Sequence, residues 1–375
     1  MEIYRICNFC IMDTSDCNIR FDENGNCNHC RNYLRMADDE NNMVKDKDAY
    51  LKKLVSEIKK DSHKRKYDCL TGVSGGADSS YVVYLMKEYK LRPLAMHLDN
   101  GWNSELAVEN IKNILKALDI DLFTVVLDWN SFRDLQLAFL YASVPDAEVP
   151  TDHAIFAAKY SVARKYGIKY IISGENMSTE GILPRSWTYG VHDWRYIKGI
   201  HDIYGKTKLI NYPHYNIFQQ NYYNKFIGIK YLRILNYIDY KKEDAINILK
   251  SKVGWRNYIA KHFESVYTRF FQGYILPGKF GIDKRRAHLS TLICSNQLTR
   301  SEALEEIKIN KYTPEMQNDD REYVLKKLKL DNSEFEKIMN LPKQSYKNYK
   351  NYVHTVNLIK KVLKTLRFKI REFDR

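Results

Sequence analysis

Apolar residues recur in two rhythms along this 375-residue chain, and the changes of rhythm mark its elements. Between 49 and 60, Leu51, Leu54, Val55 and Ile58 fall at helical spacing, the buried stripe of an amphipathic helix. From 67 onward, short apolar runs bounded by turn residues appear at 67–73, 93–98, 122–127 and 168–172. Such runs are the pattern of strands buried on both faces. Helical periodicity returns between them, from 78 to about 90, 104 to 118, 131 to 142 and 152 to 166. The alternation predicts an α/β fold with a parallel sheet covered by helices on both faces. In such sheets ligands sit beyond the carboxyl ends of the strands. Three polar turns fall at predicted strand ends: the one beginning at Ser74, Asp99-Asn100-Gly101, and Ser173-Gly174-Glu175-Asn176.

Outside this block the rhythm is weaker. Residues 36–48 are polar and read as a linker, and 196–260 are rich in Tyr, Asn and Lys with no assignable packing. The stretch 263–300 is dense in chemistry, with Tyr267, Arg269, Gln272, Lys279, His288 and Cys294. Thr299-Arg300-Ser301-Glu302 reads as a capping box opening a helix. In the tail, Val353, Val356, Ile359, Leu363, Leu366 and Ile370 recur at helical spacing among cations. That pattern suits a helix docked on its own domain, or one bound to a membrane surface or partner. The expected segments are a cysteine ribbon at 1–45, a linker helix at 46–66, the α/β domain at 67–300 and a basic helical extension at 301–375.

The length allows one large core or two modest ones, and 44% apolar content suits a globular chain. No apolar run reaches the roughly 18 residues that span a bilayer. Residues 1–7 lack the apolar core of a signal peptide, so a cytoplasmic location is expected. The net charge of +14 fits either a lysine-rich surface or a polyanionic partner, and charge alone does not choose.

Five of the seven cysteines lie in the first 30 residues. Cys7-x-x-Cys10 and Cys27-x-x-Cys30 are sixteen residues apart, the spacing of a four-cysteine zinc ribbon. Each turn directs two thiolates to one side of a metal, and two turns complete a tetrahedron. Four thiolates leave no open coordination position, so the expected Zn²⁺ is structural. A segment too small for its own apolar core would draw its stability from the metal. Cys17 and His29 are alternative ligands but read as bystanders.

Ser74-Gly75-Gly76-Ala77-Asp78-Ser79-Ser80 joins a predicted strand to a predicted helix. Glycines let backbone N–H groups approach phosphate oxygens, and the helix dipole adds positive potential there. Asp78 supplies a carboxylate for Mg²⁺ on the phosphates. No lysine stands in the loop, which separates it from the Gly-Lys-Ser/Thr triphosphate loop. Gly205-Lys206-Thr207 has such an ending, but five spacer residues follow Gly199 where four are needed, and it reads as an ordinary loop. The heptad resembles the PP-loop of the ATP pyrophosphatase superfamily (adenine nucleotide α-hydrolase-like), whose members split ATP between the α and β phosphates.

Longer strings carry a narrower resemblance. His97-Leu98-Asp99-Asn100-Gly101-Trp102-Asn103, Val149-Pro150-Thr151-Asp152-His153-Ala154-Ile155, Thr179-Glu180-Gly181-Ile182-Leu183-Pro184-Arg185-Ser186-Trp187 and Phe280-Gly281-Ile282-Asp283-Lys284-Arg285-Arg286-Ala287-His288-Leu289-Ser290 are similar to the bacterial N-acetyl sugar amidotransferases of surface-polysaccharide (LPS O-antigen) and flagellin-glycan pathways. The resemblance runs from Cys7 to about Ala303. Asn296 stands where it leads one to expect glycine, and Asn tolerates the same left-handed backbone.

The resemblance implies conversion of a sugar acetamido group to acetamidino. ATP activates the amide oxygen as an O-adenylyl imidate with loss of pyrophosphate, and ammonia then displaces AMP. On this reading Ser74, Gly75, Gly76, Ser79 and Ser80 grip pyrophosphate, Asp78 orients Mg²⁺, and Asp99, Asn100 and Gly174 lie near ATP. Glu175 or Glu180 completes the metal site or accepts a proton from ammonia. Lys284 and Arg285 neutralise charge on the leaving phosphates. Asp152, His153, Arg185 and Trp187 face the sugar or its nucleotide. Bland roles stand beside these: Asp152 as a helix cap, Arg285 as a surface cation, Trp187 as cover for the sheet. The resemblance also implies a separate glutaminase subunit supplying ammonia, with a histidine-biosynthesis-like synthase partner, since neither Cys69 in its buried strand nor Cys294 in apolar surroundings has a glutaminase-like setting. The acceptor is expected to be a nucleotide-activated N-acetyl sugar, with no nucleic acid partner. The rival reading is a PP-loop tRNA thiolase, which also joins ribbon to loop; a non-catalytic scaffold is a third.

Overall fold

The computed structural model describes residues 4–353, 355–358 and 361. Five strands, β1 (Cys69–Gly72), β2 (Pro93–Asp99), β3 (Leu122–Val126), β4 (Tyr170–Ser173) and β5 (Lys230–Arg233), pair in the order β3-β2-β1-β4-β5. Every neighbouring pair is parallel, as the alternation predicts. The chain moves outward from β1 to β3, then returns to the other side of β1 with β4. That reversal creates a crevice beyond the carboxyl ends of β1 and β4. The fifth strand lies in the stretch that showed no pattern. Lys230-Tyr231-Leu232-Arg233 is an edge strand with polar residues at both ends, so no apolar run announces it.

The helices before β4 follow the expected order: α1 (Asn28–Met43), α2 (Lys47–Ser62), α3 (Ala77–Glu88), α4 (Glu105–Leu118), α5 (Trp129–Ala142) and α6 (Val149–Lys165). The expected linker at 36–48 is corrected, since α1 runs through Met43. Cys27 Sγ accepts from Cys30 N at its start, Tyr33 is buried, and Met36 and Ala37 pack on the core, so a few inward contacts hold a polar helix. Helix α6 starts three residues earlier than the pattern suggested because Pro150 suits a first turn.

After β4 come α7 (Met177–Glu180), α8 (Trp194–Tyr204), α9 (Ile217–Lys225), α10 (Lys242–Val253) and α11 (Val266–Phe270). The last runs into a wider π-helical segment, Phe271–Phe280, which contains Pro277. Helices α12 (Lys284–Cys294), α13 (Arg300–Lys308), α14 (Pro314–Leu328) and α15 (Asn332–Asn340) follow, then a short 3-10 turn at Tyr346–Asn348. The capping box of Thr299 and Glu302 is formed, and Asn296 has φ of 57°. Gly199–Tyr204, read as loop, is helical within α8; beyond it the Lys206 and Thr207 amides donate to the Asp134 carboxylate, not to a phosphate. The apolar tail positions Ile359, Leu363, Leu366 and Ile370 lie outside the described residues.

Strand alternation divides the core. Cys69 faces α2 and α3, with Leu51, Ile58, Val82 and Met86, and further along this side α4 and α10 close over Ala95. Leu70 faces the other way, into a cluster with Phe132 and Phe139 of α5 and Ala158 of α6. That second cluster is continuous with Cys7 and Ile11 of the ribbon and with Leu328, Phe335 and Ile338 of α14 and α15. The ribbon and the C-terminal helices thus share one core with the sheet.

Candidate active-site crevice and four-cysteine cluster

The SGGADSS turn lies between β1 and α3, at the point where the strand order reverses. Gly75 has φ of +82°, and a Cβ there would stand 2.7 Å from the Ala107 carbonyl oxygen, so only glycine fits. Its own carbonyl accepts from Trp255 Nε1 at 2.8 Å and the Tyr258 hydroxyl at 3.1 Å, which turns the opposite edge of the loop towards the crevice. Ser74 Oγ and Ser79 Oγ are 3.1 Å apart across the turn. Gly174, after β4, presses on the start of α3: a Cβ there would lie 2.9 Å from Ser79 N. Backbone amides at a helix start, kept bare by glycines on two strands, form an anion cradle. With the all-parallel sheet, this arrangement makes the domain a PP-loop fold.

Charged groups line the crevice around the loop. Asp78, in the first turn of α3, accepts a hydrogen bond from the Tyr240 hydroxyl. Lys261 Nζ pairs with Glu180 Oε1 at 3.0 Å. Burial opposes its charge, but Glu180, Asp78 and Glu264 outweigh burial and hold Lys261 above the ordinary lysine range. Burial and the neighbouring Lys261 charge pull Lys242 the other way, against Asp78 and Glu264. Glu264 approaches the loop itself: its Oε1 would stand 3.4 Å from a Cβ on Gly76. Two ammonium groups beside an anion cradle and one carboxylate in the helix start suit a polyphosphate with a divalent cation. Asp78 is the residue that would hold Mg²⁺.

Further along the strand ends stands a second charged group. Lys284 Nζ lies 3.3 Å from Glu148 Oε2, which also accepts from Gln272 Nε2 at 2.7 Å. Asp146 accepts from the Thr188 hydroxyl. Burial, then repulsion from Glu148 and Asp146, pushes Asp152 well above the ordinary carboxyl range. Lys159 reaches across from α6 beneath the turn, with its Cε 2.7 Å from where a Cβ on Gly72 would be. It donates to the Tyr231 hydroxyl at 3.1 Å, which in turn donates to Glu175 Oε1 at 2.5 Å. Arg233 adds a 3.2 Å ion pair to Glu175. Between the two groups sits His288, whose Nε2 is buried without a partner. Burial, and then the neighbouring Lys261, Lys284 and Lys242 ammonium groups, hold its pKa well below the ordinary imidazole range.

The sequence candidates divide accordingly. Ser74, Gly75, Gly76, Asp78, Ser79, Ser80, Gly174, Glu175 and Glu180 gather around the β1 and β4 ends. Asp99 and Asn100 lie at the end of β2, where their carboxylate and amide oxygens accept from Gly101 N (2.9 Å) and Trp102 N (3.1 Å), shaping the turn. Asn100 also reaches Thr151, beside Asp152. Asp152 lies inside α6 rather than capping it, because Glu148 occupies the cap.

Three placements are corrected. His153 is fully buried, stacked between Tyr215 and Trp194, with Nδ1 on the Val191 carbonyl and Nε2 accepting from Tyr215 N. Trp187 is 1% exposed and offers no open face. Arg285 pairs with Asp283 at 2.7 Å and bonds the Ile309 carbonyl, while Lys284 turns inward to Glu148, because consecutive helical residues point about 100° apart. Lys261 and Lys242 are the lysines whose charges act on Asp78 at the loop. Arg185 lies exposed on the loop between α7 and α8.

Sequence reasoning missed Glu148, Lys159, Tyr231, Tyr240, Lys242, Lys261 and Glu264. A signal existed for one set. Glu148, Asp152 and Lys159 are four and seven residues apart, one charged face on a helix whose other charges, Arg164 and Lys165, stand in its last turn.

The four predicted ligands converge at the N-terminus, their sulfurs all within 4.8 Å of one another. Cys7–Cys30, Cys10–Cys27 and Cys27–Cys30 sulfur separations are 3.8, 3.6 and 3.7 Å. A tetrahedron with bonds of about 2.3 Å has edges of about 3.8 Å, so the set fits a thiolate-bound zinc ion. Cys7 Sγ accepts from the Cys27 amide at 3.1 Å. His29 is engaged with Asp16 at 2.6 Å and Cys17 is exposed, so both stand aside as expected. The cluster docks on the rest of the chain through Arg300, which donates to the Cys7 and Cys10 carbonyls, and Arg286, 2.8 Å from Asp13.

Residues 264–373 match the family of the LPS biosynthesis protein WbpG-like, C-terminal domain. The resemblance to surface-polysaccharide enzymes is borne out there. This WbpG-like segment opens at Glu264 beside the phosphate loop and contributes Gln272, Lys284 and His288 to the crevice. An uncharacterized protein of Methanocaldococcus jannaschii is 32% identical over 134 residues, covering 34% of this chain and 46% of that protein, so the match spans less than half of the relative. Among solved structures, NMN synthetase from Francisella tularensis aligns with 15% identity and a TM-score of 0.29, covering 60% of this chain and 93% of that one. An NH3-dependent NAD synthetase from Campylobacter jejuni aligns with 15% identity and a TM-score of 0.29, covering 55% and 84%. No described helix is long and apolar enough to cross a membrane.

Proposed function

We propose that this protein is an ATP-dependent amidotransferase that converts the acetamido group of a nucleotide-activated N-acetyl sugar to acetamidino, in LPS O-antigen or flagellin-glycan biosynthesis. The observation that carries the reading is the meeting of an SGGADSS cradle with a WbpG-like segment in one crevice. The cradle binds the β and γ phosphates, leaving the α-phosphorus open to in-line attack by the amide oxygen. Pyrophosphate leaves with its charge matched by Lys261 and Lys242. Mg²⁺, when bound at Asp78, supplies further neutralisation of the phosphates.

Ammonia then adds to the adenylated carbon, AMP departs with the former amide oxygen, and the nitrogen sheds protons. The Glu175–Tyr231–Lys159 chain and Asp152 are the groups at the strand ends able to take them. Four thiolates leave the ribbon metal, taken as Zn²⁺, no substrate position, so its part is to hold Cys7–Cys30 against α12 and α13. Ammonia is supplied by a separate glutaminase with a synthase-like partner. Cys69 and Cys294 are both buried, which speaks against a thiolase that carries sulfur on them.

Mass spectrometry of products tests this. The protein is incubated with ATP, Mg²⁺, excess ammonium and a panel of N-acetylated nucleotide sugars. AMP, pyrophosphate and an O-to-NH mass change on one sugar are expected. Sulfur gained by tRNA in place of any sugar change would overturn the reading.

A further inference from the structure

One flank of the sheet carries a feature that the proposed chemistry does not use. On α9 and its C-terminal cap, Phe218, Tyr222 and Phe226 follow one another at four-residue intervals and are 77%, 52% and 80% exposed. Tyr222 and Phe226 stack outside the core, with ring centroids 5.7 Å apart. The inner side of α9 is anchored: Tyr223 stacks on Tyr160 at 5.5 Å, and Asn224 accepts from the Tyr160 hydroxyl at 3.0 Å. The exposed stripe is therefore a fixed surface of the fold. Next to Phe226, Ile227 lines a groove of about 250 Å³ whose rim carries Arg65, Arg164 and Lys169. Arg164 also lies over the Tyr223 ring, 5.3 Å from its centre, which ties groove and stripe together.

The charge of this face is one-sided. It is built by the residues leading into β1, β4 and β5, whose parallel arrangement puts their N-terminal ends on one side. Residues 62–67, 164–169 and 217–230 hold eight lysines and arginines and no Asp or Glu. The carboxylates bordering these segments are engaged, Asp61 by the Tyr170 hydroxyl at 2.6 Å and Asp121 by Tyr67 and Lys66. Aromatic rings in a row, flanked by cations, are the composition of a surface that lies in the headgroup layer of an anionic bilayer. We propose that this face docks the protein on anionic phospholipid, with the rings at the headgroup–acyl boundary and Arg65, Arg164 and Lys169 on the lipid phosphates. The crevice, at the other end of the strands, then faces away from the membrane and stays open to soluble nucleotides.

Vesicle co-sedimentation of the full chain tests the proposal. Vesicles containing about one-third phosphatidylglycerol should carry the protein down at least tenfold more strongly than pure phosphatidylcholine, with release at high salt. The variant F218S/Y222S/F226S, and separately R65E/K169E, should each weaken that binding at least tenfold. Circular dichroism and ATP-dependent turnover in free solution should match the unaltered protein. No binding to anionic vesicles would overturn the proposal. So would binding that survives both variants, which would place it on another basic segment. Self-association or capture of an acidic protein through the stripe, with vesicles left unbound, would also overturn it.

Discussion

The phosphate loop and the four-cysteine ribbon are both short motifs, yet they depend on the rest of the chain in opposite ways. The ribbon closes its ligand set within 24 residues, Cys7 to Cys30, and its sulfurs already lie on the edges of a tetrahedron. The loop acquires its shape from far away: Ala107, Trp255 and Tyr258 hold Gly75, Gly174 comes from β4, and the cations come from Lys242 and Lys261. A local ligand cage carries its geometry in its spacing, whereas an anion cradle presents only its backbone and relies on distant parts of the fold for its side-chain charge.

Asp78→Asn should break the comparison on the loop side most severely. It keeps shape and the Tyr240 contact but removes the carboxylate charge, and metal-dependent AMP formation should fall about 10³-fold with the fold intact by circular dichroism. A scaffold protein would keep its binding functions unchanged. On the ribbon side, Cys10→Ser removes one ligand of a closed cage. Bound metal, read by elemental analysis, should be lost, and the denaturant midpoint should fall by an amount equal to about 3 kcal/mol or more. Chelation of the unaltered protein should move the midpoint the same way.

Lys261→Gln sharpens the claim that the loop's cations come from elsewhere in the chain. Turnover should drop about 10²-fold, while Arg285→Gln, on the outer edge of α12, should stay within about twofold in the same assay. Equal losses would return Arg285 to the site. The smallest effect belongs to His153. Burial holds its imidazole down at about 3, against an unfolded value of about 6.5. Below about pH 6.5 only the unfolded chain takes up this proton, so stability is intact above that pH. It is lost on acidification by up to about 1.4 kcal/mol per unit. Denaturation curves of His153→Phe between about pH 6 and 4.5 should show a slope shallower by that amount.

Much of the fold was legible because four of the parallel strands write continuous apolar runs, even edge strand β3, which is not buried on both faces as expected: Leu122 and Val126 are exposed. Residues 67–73, 93–98, 122–127 and 168–172 cover four of the five observed strands but for the last residue of β2 and of β4. Edge strand β5 was not legible, since Lys230 and Arg233 leave it only two central apolar residues, Tyr231 and Leu232. Helix α1 read as linker because its few inward residues are scattered among charges. In the crevice, the glycine and serine positions were legible from backbone requirements. Lys284 and Arg285 were not separable, because the direction of a side chain on a helix depends on which face is buried.

By itself the sequence determined the cysteine cage, the glycine turn and the order of the first four strands with the helices between them, since each follows from spacing, backbone freedom or apolar period over a few residues. Tertiary structure alone decided which charges meet that turn. Lys261, Glu264 and His288 come from segments far along the chain, and His153 became core packing once α6 turned it towards Tyr215. It also decided that the basic segments before β1, β4 and β5 share one face, because parallel strands place all their N-terminal ends together.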